Sequence, residues 1–124
     1  MQIEMHAHGF SLTGALRDYT ERRLRFALAR VADRVGRITV RFFDINGPRG
    51  GIDKCCRIQV MLNGLGGVVI EDTEANFHLA IDRAADRIGR DVMRRLARHN
   101  ARQTKNPLTT RRSRRADGSP DQAV

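Results

Sequence analysis

Tryptophan is absent from this chain and tyrosine occurs once, so aromatic side chains that could stack on a base are scarce. Lysine is almost missing as well: of 23 basic residues only Lys54 and Lys105 are lysines, and the rest are arginines. Cysteine is confined to the adjacent pair Cys55 and Cys56. Sequence neighbours bridge only with strain, and two thiols supply neither a disulfide framework nor a zinc site. The cytoplasm is therefore the expected compartment. No apolar run approaches the ~20 residues of a membrane-spanning helix, and the N-terminus lacks a basic-then-apolar signal. The basic C-terminal region has no accompanying apolar face, so a membrane partner is not expected. Spacing assembles no Ser/His/Asp set and no carboxylate pair beyond ordinary helix acids. Neither an enzyme nor a small-molecule substrate or cofactor is expected.

What the chain has in excess is positive charge. Its 124 residues hold 23 Lys and Arg against 14 Asp and Glu, a formal net charge of +9. Residues 14–34 hold six arginines against three acids, and residues 74–99 hold six against four. Residues 100–124 hold six basic residues against two acids, and the remainder is neutral. The surplus thus belongs to two expected helices and a tail. Arginine is the better bidentate binder of phosphate.

Arginines recur at Arg83, Arg87, Arg90, Arg94 and Arg98. On an α-helix, spacings of three and four place them along one stripe. Rise along the helix separates successive guanidinium groups by roughly 4.5–6 Å. Phosphates along a nucleic-acid strand lie at a similar spacing, so the stripe points to a phosphate backbone as partner.

Alternation of Met1, Ile3 and Met5 with Gln2, Glu4 and His6 predicts a half-buried strand over residues 1–8. Thr13 reads as an N-cap for a helix over 14–34 that Gly36 ends, with Leu16, Tyr19, Leu24, Ala27, Leu28 and Val31 as its apolar face. Arg37–Ile45 is rich in β-branched and aromatic residues and reads as a second strand. Lys54–Leu62 alternates as a third, with Cys56, Ile58, Val60 and Leu62 on one face and Cys55 on the other. Val68–Glu71 forms a short fourth strand, and tight connections make hairpins of strands two and three and of three and four. Asp72 or Thr73 is expected to cap the last helix, whose apolar face is Phe77, Ile81, Ala84, Ile88, Val92 and Leu96. The five phenylalanines read as core. The expected fold class is α+β, in the order β-α-β-β-β-α. A four-stranded sheet with both helices on one face would bury the apolar stripes together. The expected division is a folded domain over residues 1–99 and a disordered basic tail over 100–124.

Two further patterns have plainer readings than they first suggest. His6 and His8 share one face of the first strand, but no third ligand stands at a useful spacing, so no metal site is expected. Gly47-Pro48-Arg49-Gly50-Gly51 lacks the Gly-Lys-Ser/Thr ending and following helix of a phosphate loop and reads as a hairpin loop, with Arg49 at its tip available to RNA.

Leu12-Thr13, Ala15-Leu16-Arg17 and Tyr19 in the first helix carry a family resemblance. So do Ala80-Ile81-Asp82, Asp86-Arg87-Ile88, Arg90 and Arg94 in the last. Over roughly residues 1–99 the chain resembles the short ribosome hibernation-promoting factors, also called ribosome-associated inhibitor or sigma-54 modulation proteins. The resemblance implies a fold topologically like a double-stranded-RNA-binding domain. It implies binding to ribosomal RNA of the small ribosomal subunit, in the channel of messenger and transfer RNA, and silencing of translation in stationary phase or stress. It implies RNA contacts at Arg87, Arg90 and Arg94, with Arg23 at an often basic position of the first helix. Arg83 and Arg98 join that set from helical geometry alone. The Gly-rich stretch Asn46–Asp53 departs from the family's better-known members, and the tail lacks the apolar pattern of the second domain that drives ribosome dimerisation in long members. A generic structured-RNA binder or RNA chaperone is the competing expectation.

Overall fold

The computed structural model describes residues 1–45 and 53–105, and for residues 103–105 the helical backbone alone. The elements are β1 (Gln2–His8), α1 (Gly14–Ala27), a 3-10 segment (Ala29–Arg34), β2 (Val35–Asp44), β3 (Lys54–Leu62), β4 (Gly66–Glu74) and α2 (Phe77–Lys105). The sheet order is β1-β2-β3-β4. β1 runs parallel to β2, and β2, β3 and β4 pair antiparallel. Parallel neighbours need a crossover, and α1 with the 3-10 segment supplies it. The chain divides into two units, Met1–Val92 and Met93–Val124.

In the first unit the strand alternation decides which sheet face is covered. Ile38, Val40 and Phe42 on β2, Cys56, Ile58 and Val60 on β3, and Ile70 on β4 are buried. Residues between them, such as Arg37, Arg57, Gln59 and Val69, are exposed. The helices therefore cover one face and leave the other open, as expected. α1 contributes buried Leu16, Thr20 and Leu24, its C-cap adds Leu28, and α2 contributes Ala80, Ile81, Ala84, Ala85, Ile88 and Val92. Each large aliphatic side chain buried this way stabilises the fold by about 1.5–3 kcal/mol. The helices approach closely at Gly89, where a Cβ would lie 3.1 Å from the carbonyl oxygen of Ala27.

Helix starts follow local hydrogen bonding. The Thr13 hydroxyl accepts from the Leu16 backbone N–H at 3.2 Å, the expected cap. The expected cap of α2 is corrected. Asp72 and Thr73 belong to β4, and Asn76 caps the helix, its side-chain oxygen accepting from the Leu79 N–H at 2.8 Å. β4 runs longer than expected because its ladder with β3 continues to the pair Lys54 and Glu74. A polar ending is tolerated there because Asp72 and Glu74 meet arginines of α2.

The first helix is also shorter than its periodicity suggests. The backbone leaves α-geometry at Leu28, and Val31 takes a non-helical φ of −123°. Gly36 does not end a helix. It sits in β2 at a register shift, where a Cβ would come within 3.0 Å of the Asn63 side chain. A β-bulge with a close approach explains that glycine better than a helix stop. In the β3–β4 hairpin Gly64 holds a φ of +77°, the left-handed region that glycine enters freely.

Both cysteines are buried, whereas alternation placed Cys55 on the outer face. Cys55 does point to the open face. It is small and stands in register between Phe43 on β2 and Thr73 on β4, whose larger side chains shade it. Burial pushes both thiols up from their ordinary range, so neither is a ready nucleophile. The phenylalanines divide as well. Phe42 is buried in edge contact with Phe77, which stacks on Phe10. Phe26 is 79% exposed, because it lies across α1 from the Leu24 and Leu28 stripe.

At the β2–β3 connection Ile45 donates its backbone N–H to the Asp53 carbonyl, and the Lys54 ammonium bridges Asp44 at 2.9 Å and Asp53 at 3.0 Å. The connecting residues 46–52, Arg49 among them, lie outside the described residues. In the second unit α2 continues to Lys105, with Leu96 buried and Arg94 and Arg98 exposed. The helix thus includes residues 100–105, which periodicity assigned to the tail, and residues 106–124 lie outside the described residues.

Two substitutions test this packing. Gly89→Leu should force α1 and α2 apart and cost about 1–3 kcal/mol in denaturant unfolding. The Thr20 hydroxyl is buried with no hydrogen-bond partner among the described residues. Thr20→Val should therefore stabilise the fold by about 1 kcal/mol in the same assay.

Candidate nucleic-acid interface

Burial of Ile81, Ala84, Ala85 and Ile88 fixes the rotation of α2, and that rotation turns Arg83, Arg87 and Arg90 away from the core. All three are exposed, and each is held by a carboxylate. Arg83 Nε lies 3.2 Å from Glu74, and Arg87 Nη1 lies 3.1 Å from Asp72, both on β4. Arg87 also donates to the Glu71 carbonyl at 3.1 Å. Arg90 pairs with Asp86 one turn earlier at 3.0 Å.

The strand carboxylates reach the helix because of sheet register. Asp72 stands opposite Cys56 and Glu74 opposite Lys54, in the same alternation as Ile70 and Val68. They therefore face the helix side at the sheet edge. Each guanidinium uses one nitrogen on its carboxylate, and a guanidinium has five N–H donors. Arg83 and Arg87 are thus oriented by the sheet while donors remain for a second acceptor. Such exposed pairs contribute little to stability, about 0–1 kcal/mol each.

Arg23 has a different setting. Its Nε donates to Asp82 Oδ1 at 2.9 Å and its Nη2 to the Asp82 carbonyl at 3.2 Å. The Tyr19 hydroxyl donates to the same carboxylate oxygen. Two residues of α1 therefore converge on one acid of α2, beside the His78 ring that packs against Tyr19. Partial burial pushes the Asp82 carboxyl up. The hydrogen bonds from Tyr19 and Arg23, with the Arg23 and His78 charges, outweigh it and hold the group below its ordinary value of 3.8. The same hydrogen bond, with burial, raises Tyr19 above its ordinary 10.0. Arg23 ties the helices together first, and its side chain is 27% exposed.

The arginines of the sequence-derived set are thus distributed in three ways. Arg83, Arg87 and Arg90 form one exposed group on the first unit's part of α2. Arg23 stands at the α1–α2 junction. Arg94 and Arg98 belong to the second unit's part of the helix. Helical spacing makes Asp86 a partner for Arg90, as observed, but it does not reveal the β4 acids that set Arg83 and Arg87. Asp72 reads as a candidate helix cap and Glu74 as a helix acid in the sequence, and only the β3–β4 register makes them strand residues that face α2. Among the described residues no group of three or more His, Cys, Asp or Glu side chains could hold a metal ion. No helix among them is long and apolar enough to cross a membrane.

Comparison with known proteins agrees with this architecture. The family model described as sigma 54 modulation protein / S30EA ribosomal protein matches residues 3–100. The solved N-terminal domain of Protein Y from Thermus thermophilus is 29% identical, with a TM-score of 0.63, over 76% of this chain and 98% of that one. A ribosomal subunit interface protein from Coxiella burnetii shares the fold at 20% identity and a TM-score of 0.65, over 78% of this chain and 99% of that one. No curated protein sequence matches.

The Tyr19–Asp82–Arg23 link predicts a pH dependence. Asp82 is lowered in the folded state, so its contribution is present above 3.8 and is lost as pH falls through the lower folded value. Tyr19 is raised, so its contribution is present below 10.0 and is lost as pH rises through the higher folded value. The margin in melting temperature between the wild type and Asp82→Ala should be flat between about pH 5 and 9 and shrink outside that window.

Proposed function

The chain belongs to the sigma 54 modulation protein / S30EA ribosomal protein family, and on that premise we propose that it is a ribosome hibernation factor. It binds the small ribosomal subunit through ribosomal RNA, occupies the channel of messenger and transfer RNA, and silences translation in stationary phase or stress. The observation that carries the reading is the exposed arginine group on the face of α2 that the core leaves open, with Arg83 and Arg87 oriented by β4 carboxylates and Arg90 by Asp86. Arg83, Arg87 and Arg90 contact RNA phosphates in this reading, and Arg94 and Arg98 add to them from the second unit. Arg23 contributes charge at the α1 side while keeping its bond to Asp82.

Mechanistically, a guanidinium already turned outward loses little conformational entropy on meeting a phosphate. Each phosphate contact releases condensed counterions, so affinity falls steeply with salt. Folded RNA is recognised chiefly by shape and backbone, and an exposed arginine face fits that mode. Blocking a channel needs no catalytic group, only occupancy.

The substitutions that test this reading follow from the contacts. Glutamate at Arg87 would meet Asp72 and the Glu71 carbonyl, so Arg87→Gln is the cleaner change there. Arg90→Glu and Arg94→Glu remove exposed positive charge. The triple variant should keep the wild-type circular dichroism spectrum and lose at least about a hundredfold in affinity for small subunits, from three charge-assisted contacts. Co-sedimentation at low salt, with messenger or transfer RNA as competitor, is the readout. Unchanged sedimentation of the variant would show that the stripe is a solvated face. Equal affinity of the wild type for unrelated RNA duplexes would favour a generic RNA binder.

A further inference from the structure

The open face of the sheet carries a second set of residues that the α2 interface does not use. Strand register assembles it in rows. His6, Arg41, Arg57 and Glu71 form one row across the four strands, and His8, Phe43, Cys55 and Thr73 form the next. Arg41 and Arg57 stand directly opposite each other on an antiparallel pair, where like charges destabilise a sheet. Of the two, only Arg57 has a carboxylate nearby among the described residues, Glu71 at 3.5 Å, a pair about half exposed on both sides. Arg41 makes no ion pair or hydrogen bond among the described residues. A third arginine, Arg37, lies one row beyond Thr39, with Glu4 only at 3.8 Å. The face thus holds three arginines in loose or absent pairings.

The neighbouring row supplies what charge alone lacks. The His8 and Phe43 rings stack at 4.8 Å between centroids with planes 11° apart. His8 is exposed and lies on β1, the edge strand, so a further ring can extend the stack. Residues two apart on a strand are separated by about 7 Å, so the stack and the arginine pair are within reach of one nucleotide. An acidic peptide would use the arginines but not the stacked rings.

We propose that the open sheet face is a binding site for single-stranded RNA, with a base stacked on His8 and Phe43 and the strand's phosphates on Arg41 and Arg57. Stacking platforms joined to basic side chains are the general means of holding single strands without sequence preference. The like-charged pair is then an anion site: its repulsion is relieved when a phosphate lies between the guanidinium groups. This site is separate from the α2 arginines, and its test needs no ribosome.

The full chain is titrated into a fluorescein-labelled 12-nucleotide oligouridylate at low salt and followed by anisotropy. Arg41→Gln/Arg57→Gln should weaken binding at least about tenfold, and His8→Ala at least about fivefold, the lower end of stacking contributions. Arg41→Gln should also raise the melting temperature, because it removes the repulsion, so weaker binding with higher stability is the signature of the site. The Arg90→Glu/Arg94→Glu variant should keep binding that remains sensitive to His8→Ala. Wild-type affinity in both sheet variants, or no oligouridylate binding by the wild type, overturns the proposal. So does equal competition by an oligoglutamate of the same length, which would assign the face to an acidic peptide. If the double arginine variant loses its fold, His8→Ala alone decides, since that side chain is exposed.

Discussion

Ile81, Ala84, Ala85 and Ile88 bury one side of α2, and once they are buried the direction of every polar residue on that stretch is set. The constraint works at two contacts beyond the sheet. Gly89 lets α1 come close enough for Ala27 to lie against the helix. Asp82 then receives Tyr19 and Arg23 from α1. Arg83, Arg87 and Arg90 are left to turn outward, the first two toward β4 and Arg90 along its own helix to Asp86. The basic face is thus a consequence of core packing and was not free to form elsewhere.

Carboxylates have two distinct uses around these arginines. Asp82 is shared by two donors at a helix junction, and their bonds outweigh its partial burial and hold its pKa below the ordinary value. Asp72 and Glu74 each hold one side of an exposed guanidinium. The first use joins elements. The second orients donors at small energetic cost, since exposed pairs are weak and a phosphate can share or displace them. A phosphate surface built this way is ordered before its partner arrives. The opposite sheet face follows another logic: there, Arg41 and Arg57 confront each other with one acid, Glu71, paired to them among the described residues.

Much of this was legible from residue patterns, and the misses share a cause. Alternation in Lys54–Leu62 and the three- and four-residue spacing from Phe77 onward specified β3 and α2, because burial on one face imposes those periods directly. The hairpins followed from Asn63–Gly67 and the Gly-rich stretch. What periodicity cannot carry is pairing between elements. Asp72 and Thr73 look like cap residues in one dimension, and only the ladder to Lys54 makes them strand. Gly36 resembles a helix stop until Asn63 is seen beside it. Cys55 obeys the alternation yet is buried, because Phe43 and Thr73 shade it from neighbouring strands. Phe26 was the avoidable error, since its helical angle already placed it opposite Leu24 and Leu28. Among the site residues, Arg83, Arg87 and Arg90 were readable as a stripe. That Arg23 belongs to an inter-element bond was not.

The central claim is that the outward arginines of α2 meet ribosomal RNA phosphates. A cryo-electron-microscopy structure of this chain on isolated small subunits tests it most directly. The account predicts that α2 faces ribosomal RNA in the channel of messenger and transfer RNA, with the Arg87, Arg90 and Arg94 guanidinium groups within hydrogen-bond reach of phosphate oxygens. A bound chain whose α2 arginines face solvent, or whose contacts run through ribosomal proteins alone, would contradict it.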